Sequence, residues 1–200
     1  MMYDYVIIHG SYGHPFENWE PWLFNVLTSE GKQVLAPQFP CIDQNYENWK
    51  RVLDAYKPFI GEKTSFIGHS LGPAFIVDYL IDEKIKINNL YLAAPFYGFI
   101  GIENFDNVNQ SFFKHSDISK AGEFFNKAIC LYSDNDPYVP IEMSKEISKL
   151  LNAKQVIIPN KGHLNAGAGM IEFKELKKEI EKEIAKVTNL DSKELENYIE

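Results

Sequence analysis

The stretch Thr64-Ser65-Phe66-Ile67-Gly68-His69-Ser70-Leu71-Gly72-Pro73-Ala74-Phe75-Ile76-Val77 decides how this chain is read. Thr64 to Ile67 has the short apolar character of a buried strand, and Ala74 to Ile81 that of a buried helix. Between them, Gly68-His69-Ser70-Leu71-Gly72 fits the pattern G-x-S-x-G. Glycine and serine are common, so the pattern alone is modest evidence; the strand before it and the helix after it give it weight. A serine on so tight a bend occupies a strained backbone conformation, and its neighbours must lack bulk. Gly68 and Gly72 meet that need, and Pro73 falls in the first helical turn, where a missing N–H is no loss. The helix start then turns its free amides toward charge developing beside Ser70. The bland alternative is a plain glycine-rich turn.

Working outward, short apolar runs alternate with helical periodicity along the whole chain, the signature of a parallel sheet covered by helices. Strands are predicted at Val6 to His9, Gln33 to Pro37, Leu90 to Ala94, Ala128 to Tyr132 and Gln155 to Ile158. Trp19, Trp22, Leu23, Val26 and Leu27 recur at helical spacing, with Asn18 as N-cap, Pro21 in the first turn and Gly31 at the stop. Trp49, Val52, Leu53 and Tyr56 give a second helix, closed by Pro58 and Gly61, and Ile141 to Leu151 a later one. Phe173, Leu176, Ile180, Ile184 and Val187 form the apolar stripe of a charged surface helix, beyond which Asp191 and Glu194 read as a capping box opening a short terminal helix. Between Phe96 and Phe125 the rhythm breaks: eight aromatics occur with no clean strand or long helix. That segment is either a core-packing excursion or the wall of an apolar pocket.

A serine hydroxyl becomes a good nucleophile only when a base takes its proton, and the base needs an acid to fix its tautomer. In the α/β-hydrolase fold the partners follow in the order Ser, Asp or Glu, His. Two histidines lie downstream of Ser70: His115, in the aromatic excursion and read as a surface residue, and His163, in the loop directly after a predicted strand. A loop at a strand's C-terminal end is where ligands meet an open α/β sheet, so His163 is the candidate base. The acid is sought in Ser133-Asp134-Asn135-Asp136-Pro137, where Asp134 and Asp136 both qualify, one of them as a turn residue capping its own backbone. An oxyanion hole would combine the amide of Leu71 with one from His9-Gly10-Ser11-Tyr12-Gly13, with Ser11 preferred and Tyr12 the alternative. His9 precedes Ser70 and is read as a packed ring bracing this loop. Tyr12, His69, Phe96, Tyr97 and Tyr138 are candidates for a substrate pocket.

Composition bounds the rest. Two hundred residues, 45% hydrophobic, suit one globular domain, and a net charge of -8 argues against a nucleic-acid partner. Cys41 and Cys130 lie far apart and share no metal-type spacing with any histidine, so reduced thiols are expected. The N-terminal apolar run is too short for a signal sequence, and no window approaches the roughly 18 apolar residues of a membrane span, so a cytoplasmic location without membrane attachment is expected.

With these motifs in hand, the chain resembles the small, capless α/β-hydrolases related to retinoblastoma-binding protein 9 and the bacterial YdeN-type proteins. The likeness spans about residues 3 to 185. It rests on His9-Gly10 with Trp19 and Pro21-Trp22-Leu23, and on Pro37-Gln38-Phe39-Pro40 followed by Trp49. Gly68 to Gly72, Asp136-Pro137 with Val139-Pro140, and Gly162-His163 complete it. The resemblance to the D-x-x-V-P loop of this fold selects Asp136 over Asp134 as the acid. It implies an α/β fold, with a mostly parallel twisted sheet, helices on both faces and no large cap domain. Residues 1–187 would form the hydrolase domain and 188–200 a C-terminal helical extension. The implied activity is cleavage of a small ester or related acyl substrate by Ser70, His163 and Asp136, with no metal or cofactor. Leu164 stands where relatives often carry an aromatic. Two rivals stay open: an interaction protein that keeps the fold with little catalysis, and the same triad acting on peptide or thioester bonds.

Overall fold

The computed structural model describes the backbone of residues 2–196, and side chains up to residue 185. Its strands are β1 (Tyr5–Ile8), β2 (Val34–Leu35), β3 (Ser65–His69), β4 (Asn89–Ala93), β5 (Lys127–Ser133) and β6 (Lys154–Ile158). They form a six-stranded sheet in the order β2-β1-β3-β4-β5-β6, with every neighbouring pair parallel. The helices are α1 (Glu20–Ser29), α2 (Tyr46–Asp54), α3 (Gly72–Glu83), α4 (Glu103–Asn109), α5 (Ile141–Leu150) and α6 (Lys174–Glu196).

Period-2 alternation along the central strands splits the apolar residues between two faces. Val6, Ile8, Phe66, Leu90, Leu92 and Cys130 join a core with Leu53, Phe75 and Ile147 from α2, α3 and α5. Tyr5, Ile7, Ile67, Tyr91, Ile129 and Leu131 join a second core with Trp19, Leu23 and Leu27 at α1 and Phe173, Leu176 and Ile180 around α6. Because both faces are covered, the central strands read as continuous apolar runs. Ser65–His69 and Asn89–Ala93 are buried at every position.

The elements differ from their predicted bounds in instructive places. The second strand shortens to two residues, since Pro37 has no N–H to extend a ladder. Asn18 does not cap α1. It sits at a φ of +52°, and its Oδ1 accepts instead from the amide of Ala166 at 2.9 Å. The third helix starts at Gly72, so the strand-to-helix bend is tighter than predicted. A separate helix opening at Asp191 is not seen: α6 continues to Glu196, and the chain there offers no Gly or Pro to stop it. The side chains of Val187, Asp191 and Glu194 lie outside the described residues. Among the described residues no helix is long and apolar enough to cross a membrane.

The aromatic excursion folds as α4 with short 3-10 turns at Gln110–Phe112 and Ile118–Glu123. Phe96 and Phe112 are fully buried, while Phe99 stays exposed. Phe105, Phe113, Phe124 and Phe125 pack partly against the core containing α3. Asp78 of α3 ties the excursion down, accepting from the Tyr97 hydroxyl at 2.6 Å and the Lys114 amide at 3.1 Å. Burial pushes the Asp78 carboxyl up to about 6.

Close approach of α3 to the sheet depends on Gly72, where a Cβ would stand 2.6 Å from the Ile8 carbonyl oxygen. Gly72→Ala is therefore expected to destabilise the fold by about 1–3 kcal/mol, the usual range for forced overpacking. Urea denaturation checks this, and a change within experimental error would contradict the close packing of β1 against α3.

Candidate active site

Ser70 lies at the junction of β3 and α3 with a φ of +57°, a left-handed conformation that costs a non-glycine residue about 1 kcal/mol or more. Its amide donates to the Ala93 carbonyl at 2.9 Å, which fixes the bend against β4. The flanking glycines are sterically required. A Cβ on Gly68 would stand 2.9 Å from the nitrogen of Pro73, and one on Gly10 would press on the Ser70 side chain at 3.1 Å.

His163 reaches the same point from the loop after β6. Its Nε2 accepts from the Ser70 hydroxyl at 2.8 Å, and its Nδ1–H donates to Asp136 Oδ2 at 2.7 Å. The second Asp136 oxygen accepts from the amides of Tyr138 and Val139 at 2.9 and 3.0 Å, so the carboxylate is locked by its own loop. Burial pulls the His163 pKa below the ordinary histidine value of 6.5, against the pull of Asp136. The ring is thus neutral at pH 7, with a lone pair facing a hydroxyl. Such a chain of groups can move a proton from the alcohol to the imidazole and stabilise the resulting cation.

The loop carrying His163 is held by the loop after β5. Ser133 Oγ accepts from the amide of Lys161 at 2.9 Å, Asp134 Oδ1 from that of Asn160 at 2.8 Å, and Asn135 Oδ1 from that of Gly162 at 2.8 Å. Asp134, which the sequence offers as a possible acid or a cap on its own backbone, instead caps the backbone of the histidine loop. His115 is remote from Ser70. It is half-buried and paired with Asp82 at 2.9 Å.

At the first loop, the Tyr12 amide is committed to Gln44 Oε1 at 2.8 Å. The amides of Ser11 and Leu71 have no protein acceptor among the described residues. The Ser11 hydroxyl accepts from Gln44 Nε2 at 2.7 Å and donates to Asn109 Oδ1 at 3.1 Å, so two distant segments fix this loop. His9 braces it from below: Nδ1–H donates to the Gly10 carbonyl at 2.8 Å, and Nε2 accepts from the Phe39 amide at 3.1 Å. Sequence reasoning missed Gln44 and Asn109, because polar residues in loops give no signal until the chain brings them together.

A cavity of about 240 Å³ opens over Ser70 and His163, walled by Phe96, Ile100, Ile102, Phe105, Tyr138 and Val139, with Ser11 also in its lining. The Tyr138 ring stands perpendicular to that of His163 at 5.3 Å. Of the five expected pocket residues, Phe96 and Tyr138 take that place and three do not. Tyr97 turns its hydroxyl to Asp78, away from the cavity. His69 is buried beneath it, with Nε2–H donating to the His163 carbonyl at 3.0 Å. Tyr12 is exposed outside it. Clefts of about 280 and 380 Å³ lie at the opposite edge of the sheet, around Tyr5 and Lys127, and hold no comparable pairing of hydroxyl and imidazole.

A parallel six-stranded sheet, helices on both faces, a serine on the β3–α3 bend and, among the described residues, no cap domain together define the α/β-hydrolase class. Comparison with known proteins narrows this: a serine hydrolase family model matches residues 5–182, and the chain belongs to that family. It is similar to YdeN of Bacillus subtilis (strain 168), 26% identical over 161 residues, which cover 78% of this chain and 83% of YdeN. The crystal structure of the ydeN gene product superposes with a TM-score of 0.83 at 21% identity, over 92% of this chain and 100% of that one. Est1E from Butyrivibrio proteoclasticus superposes with a TM-score of 0.70 at 19% identity, over 92% and 89% of the two chains. The chain is therefore a hydrolase of the small, YdeN-like kind.

A histidine-selective NMR titration checks the electrostatics. His163 is expected to titrate below 6.5, and lower still in Asp136→Asn, which removes the favourable charge. A midpoint above 6.5 in the unaltered protein would contradict the dominance of burial.

Proposed function

We propose that the chain cleaves small ester or related acyl substrates through Ser70, His163 and Asp136. The observation that carries this reading is the continuous hydrogen-bonded chain from the Ser70 hydroxyl through both nitrogens of His163 to Asp136 Oδ2, at 2.8 and 2.7 Å.

The substrate carbonyl sits over Ser70. As the oxygen attacks, its proton passes to His163 Nε2, and the imidazolium is stabilised by Asp136. The carbonyl oxygen becomes an oxyanion held by the amides of Ser11 and Leu71, both without protein acceptors among the described residues. Collapse breaks the bond to the leaving alcohol, which takes the proton from His163, and the acyl group remains on Ser70. Water then attacks the acyl-enzyme with His163 as base, releasing the acid and restoring the hydroxyl.

The apolar wall of Phe96, Ile100, Ile102, Phe105 and Val139 supports an uncharged acyl group as substrate. A charged group there would lose its hydration with no counter-charge to replace it.

Ser70→Ala is expected to lower kcat/KM on a nitrophenyl ester by about 10⁴-fold or more while leaving circular dichroism unchanged. Retained turnover would end the proposal. In the unaltered protein kcat/KM should rise with pH as His163 loses its proton, with a midpoint below 6.5. A series of acyl groups should favour short to medium apolar chains over charged ones, and the reverse order would refute the reading of the pocket.

A further inference from the structure

We propose that Glu20 and His69 form a second acid–histidine pair, which shares one proton and positions His163 through its backbone carbonyl. This rests on the reading of His163 as the base. The pair lies under the site, with side chains 0% and 3% exposed.

Hydrogen-bond chemistry fixes the protons. The partner of His69 Nε2 is a carbonyl oxygen, that of His163 at 3.0 Å, and a carbonyl only accepts. Nε2 therefore carries a hydrogen. The other nitrogen, Nδ1, faces Glu20 Oε1 at 3.4 Å, and neither it nor either Glu20 oxygen has a hydrogen-bond partner among the described residues. A lone pair facing a carboxylate in a dry interior would be repulsive on one side and would leave a buried charge unpaired on the other. A proton between Nδ1 and Oε1 removes both faults and makes the pair an imidazolium with a carboxylate.

The surroundings agree. Burial disfavours the charged ring of His69, but Glu20, the His163 carbonyl and the more distant Glu17 reverse that, and the net pKa is raised. The other ionisable groups near the ring are His9, directly after β1, and His163 from the loop after β6, and burial holds both below the ordinary histidine value. Asp136 stands behind His163. The Trp19 ring covers His69 at 5.6 Å. His69 is thus the one ring of the three whose surroundings favour the charged form.

Two consequences reach the base. The His69 donor adds to contacts from the two residues just before Glu20: Trp19 Nε1–H donates to the Leu164 carbonyl at 3.0 Å, and Asn18 Oδ1 accepts from the Ala166 amide at 2.9 Å. Asn18, Trp19 and His69, the last backed by Glu20, thereby grip the histidine loop at residues 163–166, beyond the stretch 160–162 held by Ser133, Asp134 and Asn135. The positive ring, 5.3 Å from that of His163, also opposes protonation of the base.

The test combines NMR of the ring nitrogens with kinetics. At pH 7, His69 in the unaltered protein should carry protons on both nitrogens, and in Glu20→Gln on Nε2 alone, with the amide donating to Nδ1. Loss of the charge in Glu20→Gln should move the acid limb of kcat/KM to higher pH by about one unit. His69→Leu, which removes the donor to the carbonyl, should lower kcat by about 10–100-fold with KM nearly unchanged. A single ring proton on His69 in the unaltered protein, an unmoved acid limb, or an unchanged kcat in His69→Leu would overturn the proposal. Failure of the hydrolytic reading would instead show as an unaltered protein without turnover, and the NMR readout would still judge the pair.

Discussion

At the junction of β3 and α3 the chain turns through a left-handed Ser70, and it can do so only because Gly68 and Gly72 present no side chain to Pro73 and Ile8. This close approach sets the position of everything else in the site. It brings the start of α3 against β1, so that the loop after β1 and the Leu71 amide face the same point. It also raises the serine hydroxyl above the C-terminal edge of the sheet, where the loops after β5 and β6 deliver Asp136 and His163. The conformational strain of one residue is small beside the burial of two apolar faces: β3 is buried at every position and α3 from Gly72 to Leu80.

A base loop with left-handed residues at Asn160, Gly162 and Leu164 has little intrinsic preference for its shape. It is defined from outside. Side chains at the end of β5 and just beyond it capture three of its amides, the residues just before α1 engage the Leu164 carbonyl and the Ala166 amide, and His69 engages the His163 carbonyl. Exact placement of His163 therefore depends on residues that never approach a substrate. The pocket shows the same division of labour. Gln44 and Asn109 hold Ser11 in place, while Phe96, Ile102 and Phe105 shape the space above it.

Much of this was legible in the sequence because it is local. Strand, bend and helix around Ser70 are adjacent in the chain, and the apolar alternation and the glycines leave few other solutions. The order Ser70, Asp136, His163 reflects topology, since each follows a strand in a parallel sheet. What escaped depends on contacts between distant segments. Asn18 looks like a helix cap until Ala166 is brought to it, and Asp134 looks like a turn residue until Asn160 is. Tyr97 looks like a pocket aromatic, but the buried Asp78 claims its hydroxyl. Glu20 gave no signal at all, because an acid in a first helical turn is ordinary, and only the fold shows it fully buried against His69.

The central claim is that one hydroxyl out of many is made nucleophilic by its neighbours. Reaction with a fluorophosphonate probe, followed by peptide mapping, addresses it without knowledge of the substrate. The account predicts a single phosphonylated residue, Ser70, on the peptide spanning the β3–α3 bend. Labelling at another residue, or no labelling under conditions where a control serine hydrolase is fully modified, would contradict it.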